Sequence, residues 1–442
     1  MVNPGVSAVR RSRTTWMGWH EIAAVLFLLQ GIGAFGVVDR LIYGEWDGKQ
    51  GDKFSQLLNF LEIILSALLF VRGLRRWRSV RTSASLALFI GFFLLASTFW
   101  SIDPPTALRR GILFITMVVG IIGIAENVTP ERFIDLLLFV CLACAVSSTV
   151  LLVVYPSNAL SSLNDGALRG IFSHKNVLGP VMAAGALCCL HKMRAKLTVI
   201  YGFLLLYFCV LTVASKSSTS LVTAMAFIAG NLFVVLYRMG AAGRALSVVS
   251  IIVMAPLAII GVLNVDWVVG LLGKDPTLTG RTDLWGYTIG FIGDRPILGW
   301  GYDSFWAPAN TNPYADSISR VLGWTVPEAH NGLLEMLLEI GAVGTTIYAL
   351  VFIYNFVLSV VSLNFPARNF AATSLLLYSG ILLIGFTEEV LLDPSQILVT
   401  LFFGSGFLME KAWRATSRGA GRPARLHRWP SRRVPGEAGA GS

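Results

Sequence analysis

Long apolar runs constrain this chain more than any single motif does. A helix rises 1.5 Å per residue, so about 20 apolar residues cross the roughly 30 Å hydrocarbon layer of a bilayer. The 442-residue sequence carries twelve such runs, near 19–38, 55–73, 84–100, 108–125, 133–155, 174–191, 197–214, 218–237, 246–263, 333–361, 370–386 and 394–410. Lipid offers no partners to exposed backbone N–H and C=O groups, so these runs are predicted to be helices. Composition agrees, because only 14% of the residues are charged, against about 25% in soluble domains. The expected fold class is an all-α polytopic membrane protein with about 12 transmembrane helices and one large outer loop. The first run follows RRSR as in a signal peptide, but it has no small-residue cleavage site and is read as a retained helix. The long run 333–361 is predicted to break at Gly341 or Gly344.

The net charge of +10 does not describe a nucleic-acid surface. Residues 1–13 and 411–442 together carry eleven Lys and Arg and one Glu, while 14–410 is balanced at 24 of each sign. A basic excess confined to two tails fits the cytoplasmic ends of a membrane protein. With the N-terminus in the cytoplasm, 23 Lys and Arg fall on the inner side and 12 on the outer, so both termini are expected inside. The five Cys lie in apolar runs and are read as small hydrophobes rather than as a zinc or redox site.

Five segments are therefore expected: a basic cytoplasmic N-terminus at 1–18, helices 1–9 over 19–263, a large outer loop at 264–332, helices 10–12 over 333–410, and a basic tail at 411–442. A loop this long rarely stays structureless in a compact protein. Within it, Gly280-Arg281-Thr282-Asp283 reads as a turn and helix start, and Leu284, Trp285, Ile289, Phe291 and Ile292 suggest a short amphipathic helix ending near Gly293. Pro296, Gly299 and Gly301 mark turns.

The candidate chemistry concentrates in the outer loops. His330 precedes a helix, where the positive dipole end favours neutral imidazole, a proton acceptor at physiological pH. The alternative is a polar cap at the membrane interface. Arg281, Arg169, Lys175 and Lys216 are cations on the side that the charge rule disfavours. An Arg fork matches phosphate oxygens in pairs, although headgroup contacts or salt bridges would also account for these residues. His174 has no partners at ligand spacing, and the loop acids contain no DxD pair, so neither a metal nor a nucleotide-sugar donor is expected. No Walker loop, Rossmann fingerprint, HExxH or GxSxG occurs. Glu21 and Glu62 fall within apolar runs, with Glu62 the better candidate for a buried role.

The ordered strings TGRTDLW, DRPILGWGYDSF and HNGLLEMLLEIGAVG resemble the pattern of the O-antigen ligase and polymerase superfamily. The matching residues are Gly280, Arg281, Trp285, Pro296, Gly299, Gly301, His330, Asn331, Leu334, Glu339 and Gly341, and the close resemblance covers about 165–345. It implies a membrane glycosyltransferase similar to the type C fold, with the large loop on the periplasmic face of a bacterial inner membrane. Its donor would be an undecaprenyl-diphosphate-linked glycan and its acceptor a glycan hydroxyl, with no cofactor. Arg281 and Arg169 would hold the diphosphate, joined by Lys175 and Lys216. Lys216 departs from the Arg expected at that motif and keeps the charge without the fork. His330 would be the base, with Asn331, Glu339 and Trp285 positioning it. RGIFSHKNVLG and SKSSTS resemble exopolysaccharide-production members, which favours a polymerase. A ligase acting on lipid A or protein, a transporter, and a scaffold of a secretion complex are the competing readings. Membrane lipid, flippase and chain-length regulator proteins are the expected partners; nucleic acid is not.

Overall fold

The computed structural model describes residues 17–43, 53–74, 79–161, 166–246, 249, 281–306 and 312–420. Among them there is no strand, only an isolated bridge between Leu160 and Leu168. The helices are α1 (Trp19–Gly31), α2 (Gly36–Tyr43), α3 (Lys53–Gly73), α4 (Arg81–Ala96), α5 (Pro104–Asn127), α6 (Pro130–Val154), α7 (Pro156–Ala159), α8 (Lys175–Ala195), α9 (Val199–Ala214) and α10 (Ser218–Arg238). They continue with α11 (Arg281–Asp294), α12 (Pro313–Leu322), α13 (Gly332–Ser362), α14 (Arg368–Gly385) and α15 (Ile397–Ala420).

Eleven of the twelve apolar runs coincide with these helices; the ninth, 246–263, lies almost wholly outside the described residues, as do 264–280 and most of both tails. Among the described residues, seven helices are long and apolar enough to cross a membrane, or eight if α1 and α2, bent by 57°, form one broken span. The expected count of about twelve also includes the run 246–263, which lies outside the described residues, α8 and α15, which carry charges near their ends, and α9, which has only 16 residues. The chain is a polytopic membrane protein. Side-chain caps start two of the helices: Asp103 accepts from Thr106 N and Thr129 from Arg132 N, each followed by a proline in the first turn. Glu21 is paired side-on with Arg132, accepting from Nε at 2.6 Å and from Nη2 at 2.8 Å, while Glu62 is buried. All five Cys are free thiols, four of them buried.

The loop ahead of α13 builds its own small core. Leu284 of α11, Trp300, Phe305, Trp306, Ile318 of α12, Val326 and Leu338 pack together, separate from the main bundle core. What docks this core onto the bundle is a break in α13. Gly341 sits at φ 62°, ψ −171°, outside helical space. The break frees carbonyls before it and N–H groups after it, which at membrane depth need new partners. The 296–301 loop supplies them. Trp300 N and Gly301 N donate to the carbonyls of Leu338 and Glu339, both at 2.9 Å. Ala342 N and Val343 N donate to the carbonyls of Pro296 and Ile297 at 2.9 and 3.1 Å. Only glycine fits this stitch: a Cβ on Gly341 would lie 2.3 Å from Ile297 O, and one on Gly299 2.4 Å from Glu339 O. The spacing of Pro296, Gly299, Gly301 and Gly341 is thus the imprint of a backbone docking.

Candidate active site

Between α8, α10, α13 and α14 lies a cavity of about 540 Å³, within the range of small-molecule sites. Its walls include His174 and Asn176 at the start of α8, Ser217 and Ser220 at the start of α10, Trp324, Glu328 and His330 ahead of α13, and Glu388 and Glu389 after α14.

His330 adopts φ 50°, a left-handed conformation that few non-glycine residues take. The preceding residue is clamped on both sides. Glu335 accepts from Ala329 N at 2.6 Å and from Trp306 Nε1 at 2.6 Å, while Trp285 Nε1 donates to Ala329 O at 3.0 Å. Asn331 caps α13, accepting from Leu333 N and Leu334 N at 3.1 Å, and its amide donates to Phe386 O at 3.3 Å. The imidazole stacks on Trp324 with ring centroids 6.1 Å apart. Strain maintained by this many partners is a common mark of a functional position.

The ring is also an ion-pair hub. His330 Nδ1 lies 2.7 Å from Glu328 Oε1 and 3.5 Å from Glu388 Oε2. Glu388 Oε1 in turn lies 3.3 Å from Arg281 Nη2, and Arg281 Nη1 donates to Thr387 O at 2.6 Å. Burial alone would lower the His330 pKa, but the carboxylates of Glu328 and Glu388 outweigh it and push it up to about 9. This corrects the expectation of a neutral ring at rest: two carboxylates within ion-pair reach override the helix dipole. Glu388 is held below the usual carboxylate range because His330 and Arg281 outweigh its burial. His174 differs. Burial, and then Lys175, lower its pKa, and its Nδ1 accepts from Asn176 N at 3.2 Å.

Of the residues singled out in the sequence, Arg281, His330, Asn331 and Trp285 are brought together here. Arg169 lies on the α7–α8 connection, Lys175 opens α8 and Lys216 lies on the α9–α10 connection; none of the three is among the lining residues. Arg169 is buried and donates to Asn158 O at 3.3 Å, and Lys216 is a second non-glycine residue at φ 50°. Glu339 is buried below the His330 loop, where the loop-bracing role falls to Glu335. Glu388 and Glu335 were missed. Glu335 stands one helical turn before Glu339 on the same helix, and Glu388 follows an apolar run in a short Thr-Glu-Glu segment.

Two groups of donor atoms lie within 4.8 Å of one another: Glu328, His330 and Glu388, and Glu335, Glu339 and Glu389. In the first, both carboxylates already lie within ion-pair reach of His330 Nδ1, and Glu388 also meets Arg281 Nη2. In the second, both oxygens of Glu335 are taken by N–H groups. Burial, and then its neighbours Glu335 and Glu339, push Glu389 well above the usual carboxylate range.

The fold and site define a polytopic helical membrane protein with a histidine–carboxylate–arginine chain beside a cavity at one end of the bundle. The O-antigen ligase family model matches residues 203–349, which contain α11, the stitched loop, His330 and the break at Gly341. The chain is also 28% identical over 278 residues to the exopolysaccharide production protein ExoQ of Rhizobium meliloti (strain 1021). That alignment covers 60% of this chain and 62% of the relative's length. Together these matches support the O-antigen ligase/polymerase-like superfamily.

Proposed function

We propose that the chain is an inner-membrane glycosyltransferase that polymerises undecaprenyl-diphosphate-linked repeat units into exopolysaccharide or O-antigen on the periplasmic face. The single observation carrying this reading is the linkage Arg281–Glu388–His330 at the cavity, a phosphate-matching cation joined to a base candidate through one carboxylate. The similarity to an exopolysaccharide production protein supports the polymer product. The match to the O-antigen ligase family supports the same chemistry with a different acceptor, so transfer of finished glycan to lipid A-core or protein is the second reading.

The proposed step is one in-line displacement. The acceptor oxygen attacks the anomeric carbon, the bond from that carbon to the diphosphate oxygen breaks, and the configuration inverts. Diphosphate leaves as a stable anion, so no general acid is needed. Arg281, whose Nη1 is held by Thr387 O and whose Nη2 meets Glu388, stabilises the leaving charge, with Arg169, Lys175 and Lys216 adding positive field from neighbouring loops. The acceptor proton goes to His330 Nε2, because Nδ1 faces the carboxylates. A base oriented by a carboxylate at its other nitrogen is a recurrent catalytic arrangement. Asn331, Trp285 and Glu335 hold the His330 backbone; Glu339 supports them through α13. Neither a metal nor another cofactor enters the proposed step.

The test is transfer by the purified protein in lipid nanodiscs from a lipid-linked repeat-unit donor, with the new linkage read by NMR. The reading requires an inverted linkage, lost in His330→Ala. Retention of configuration would contradict it, and so would full turnover by that variant.

A further inference from the structure

The cavity wall contains an oddity for a site that binds a diphosphate. Arg281 is not among the residues that line it; Glu388 is. An anion approaching Arg281 from the cavity therefore meets a carboxylate first. Its contacts are longer than its neighbours', 3.3 Å from Arg281 Nη2 and 3.5 Å from His330 Nδ1, against 2.7 Å between Glu328 and the same ring nitrogen. Arg281 does not depend on it for placement, because Nη1 is anchored on the Thr387 carbonyl at 2.6 Å. The Thr387 hydroxyl in turn lies 2.9 Å from the Thr219 hydroxyl of α10. The carbonyl anchor is thus the shorter of the two Arg281 contacts.

We propose that Glu388 is an internal stand-in for the donor's diphosphate: it takes the Nη2 edge of Arg281 and is displaced when the diphosphate binds. This rests on the proposed donor class and adds a competing anion to it. The stand-in keeps a half-buried guanidinium neutralised, which avoids an uncompensated charge. When diphosphate takes its place, Glu388 swings wholly to His330, on the side already occupied by Glu328. The groups facing this pair are Arg281 from α11, Glu328 from the loop before α13, His174 from the start of α8, and Glu389 beside Glu388 itself. Glu388 is a positioning residue that acts through Arg281.

The test is binding of undecaprenyl diphosphate to the full chain in nanodiscs by isothermal titration. Glu388→Gln removes the competing charge while leaving the Thr387 anchor, so it should bind roughly tenfold tighter than wild type, the worth of one charge-assisted hydrogen bond. Glu388→Asp keeps the charge and should bind as wild type does. In an Arg281→Ala background, Glu388→Gln should give no gain, which separates competition at Arg281 from a general change of field. Equal or weaker binding by Glu388→Gln would overturn the proposal, as would a gain that survives Arg281→Ala or appears equally in Glu388→Asp. If neither wild type nor any variant binds, the donor class itself is wrong and the stand-in falls with it.

Discussion

The protonation of His330 can be shifted by one substitution. Glu328→Gln removes the nearer carboxylate, 2.7 Å from Nδ1, and keeps its shape. Burial pulls the His330 pKa down, yet the two carboxylates carry it from 6.5 up to about 9. That rise corresponds to about 3 kcal/mol favouring the charged ring. An opposite charge at this distance moves a pKa by about 1–3 units, so Glu328→Gln should return His330 most of the way to 6.5. Because the folded value is raised, the stabilisation is fully present below about 6.5 and disappears as pH climbs through about 9. The assay is diethylpyrocarbonate modification, which reads neutral imidazole, followed by mass spectrometry of the His330 peptide as a function of pH. His174, whose pKa is lowered by burial, is the internal reference from the same cavity. Wild-type His330 should become reactive near pH 9, and Glu328→Gln well below that. A wild-type midpoint near 6.5, or one unmoved by the substitution, would refute the ion-pair account.

Other outcomes follow from the same geometry. Transfer should rise with pH from 6 to about 9, since only the deprotonated ring takes a proton; a flat profile across that range would remove His330 as base. Gly341→Ala drives a Cβ to 2.3 Å from Ile297 O and should cost about 3 kcal/mol or more, seen as lost monodispersity in detergent. Glu335→Gln can satisfy only one of its two N–H donors and should cost about 1–3 kcal/mol in a thermal melt, together with a fall in turnover. Arg281→Ala should weaken donor binding more than Lys216→Ala, measured as KM, because only Arg281 joins the carboxylate at the cavity wall.

Much of this was legible in local sequence. Asn331 before an apolar helix is a cap signal, and the structure uses it as one. The glycines at 299, 301 and 341 announced turns and a helix break, and the break falls at Gly341. A helix, α11, does run through Leu284 to Ile292, but its apolar residues are not gathered on one face: Leu284 is buried while Ile289 is exposed. The bond between Arg281 and Glu388 spans 107 positions, and nothing in either neighbourhood encodes it. The protonation of His330 was misjudged for the same reason. The helix dipole can be read from order along the chain, whereas Glu388 reaches the ring only through the packing of α14 beside α13.

The central claim is lipid-linked glycan transfer with His330 as base. Its most direct test is the size and attachment of surface glycan in cells lacking this protein, complemented with wild type or with His330→Ala at matched expression. The account predicts single repeat units accumulating on the lipid carrier, with long polymer restored by wild type alone. Long polymer restored equally by His330→Ala would contradict it.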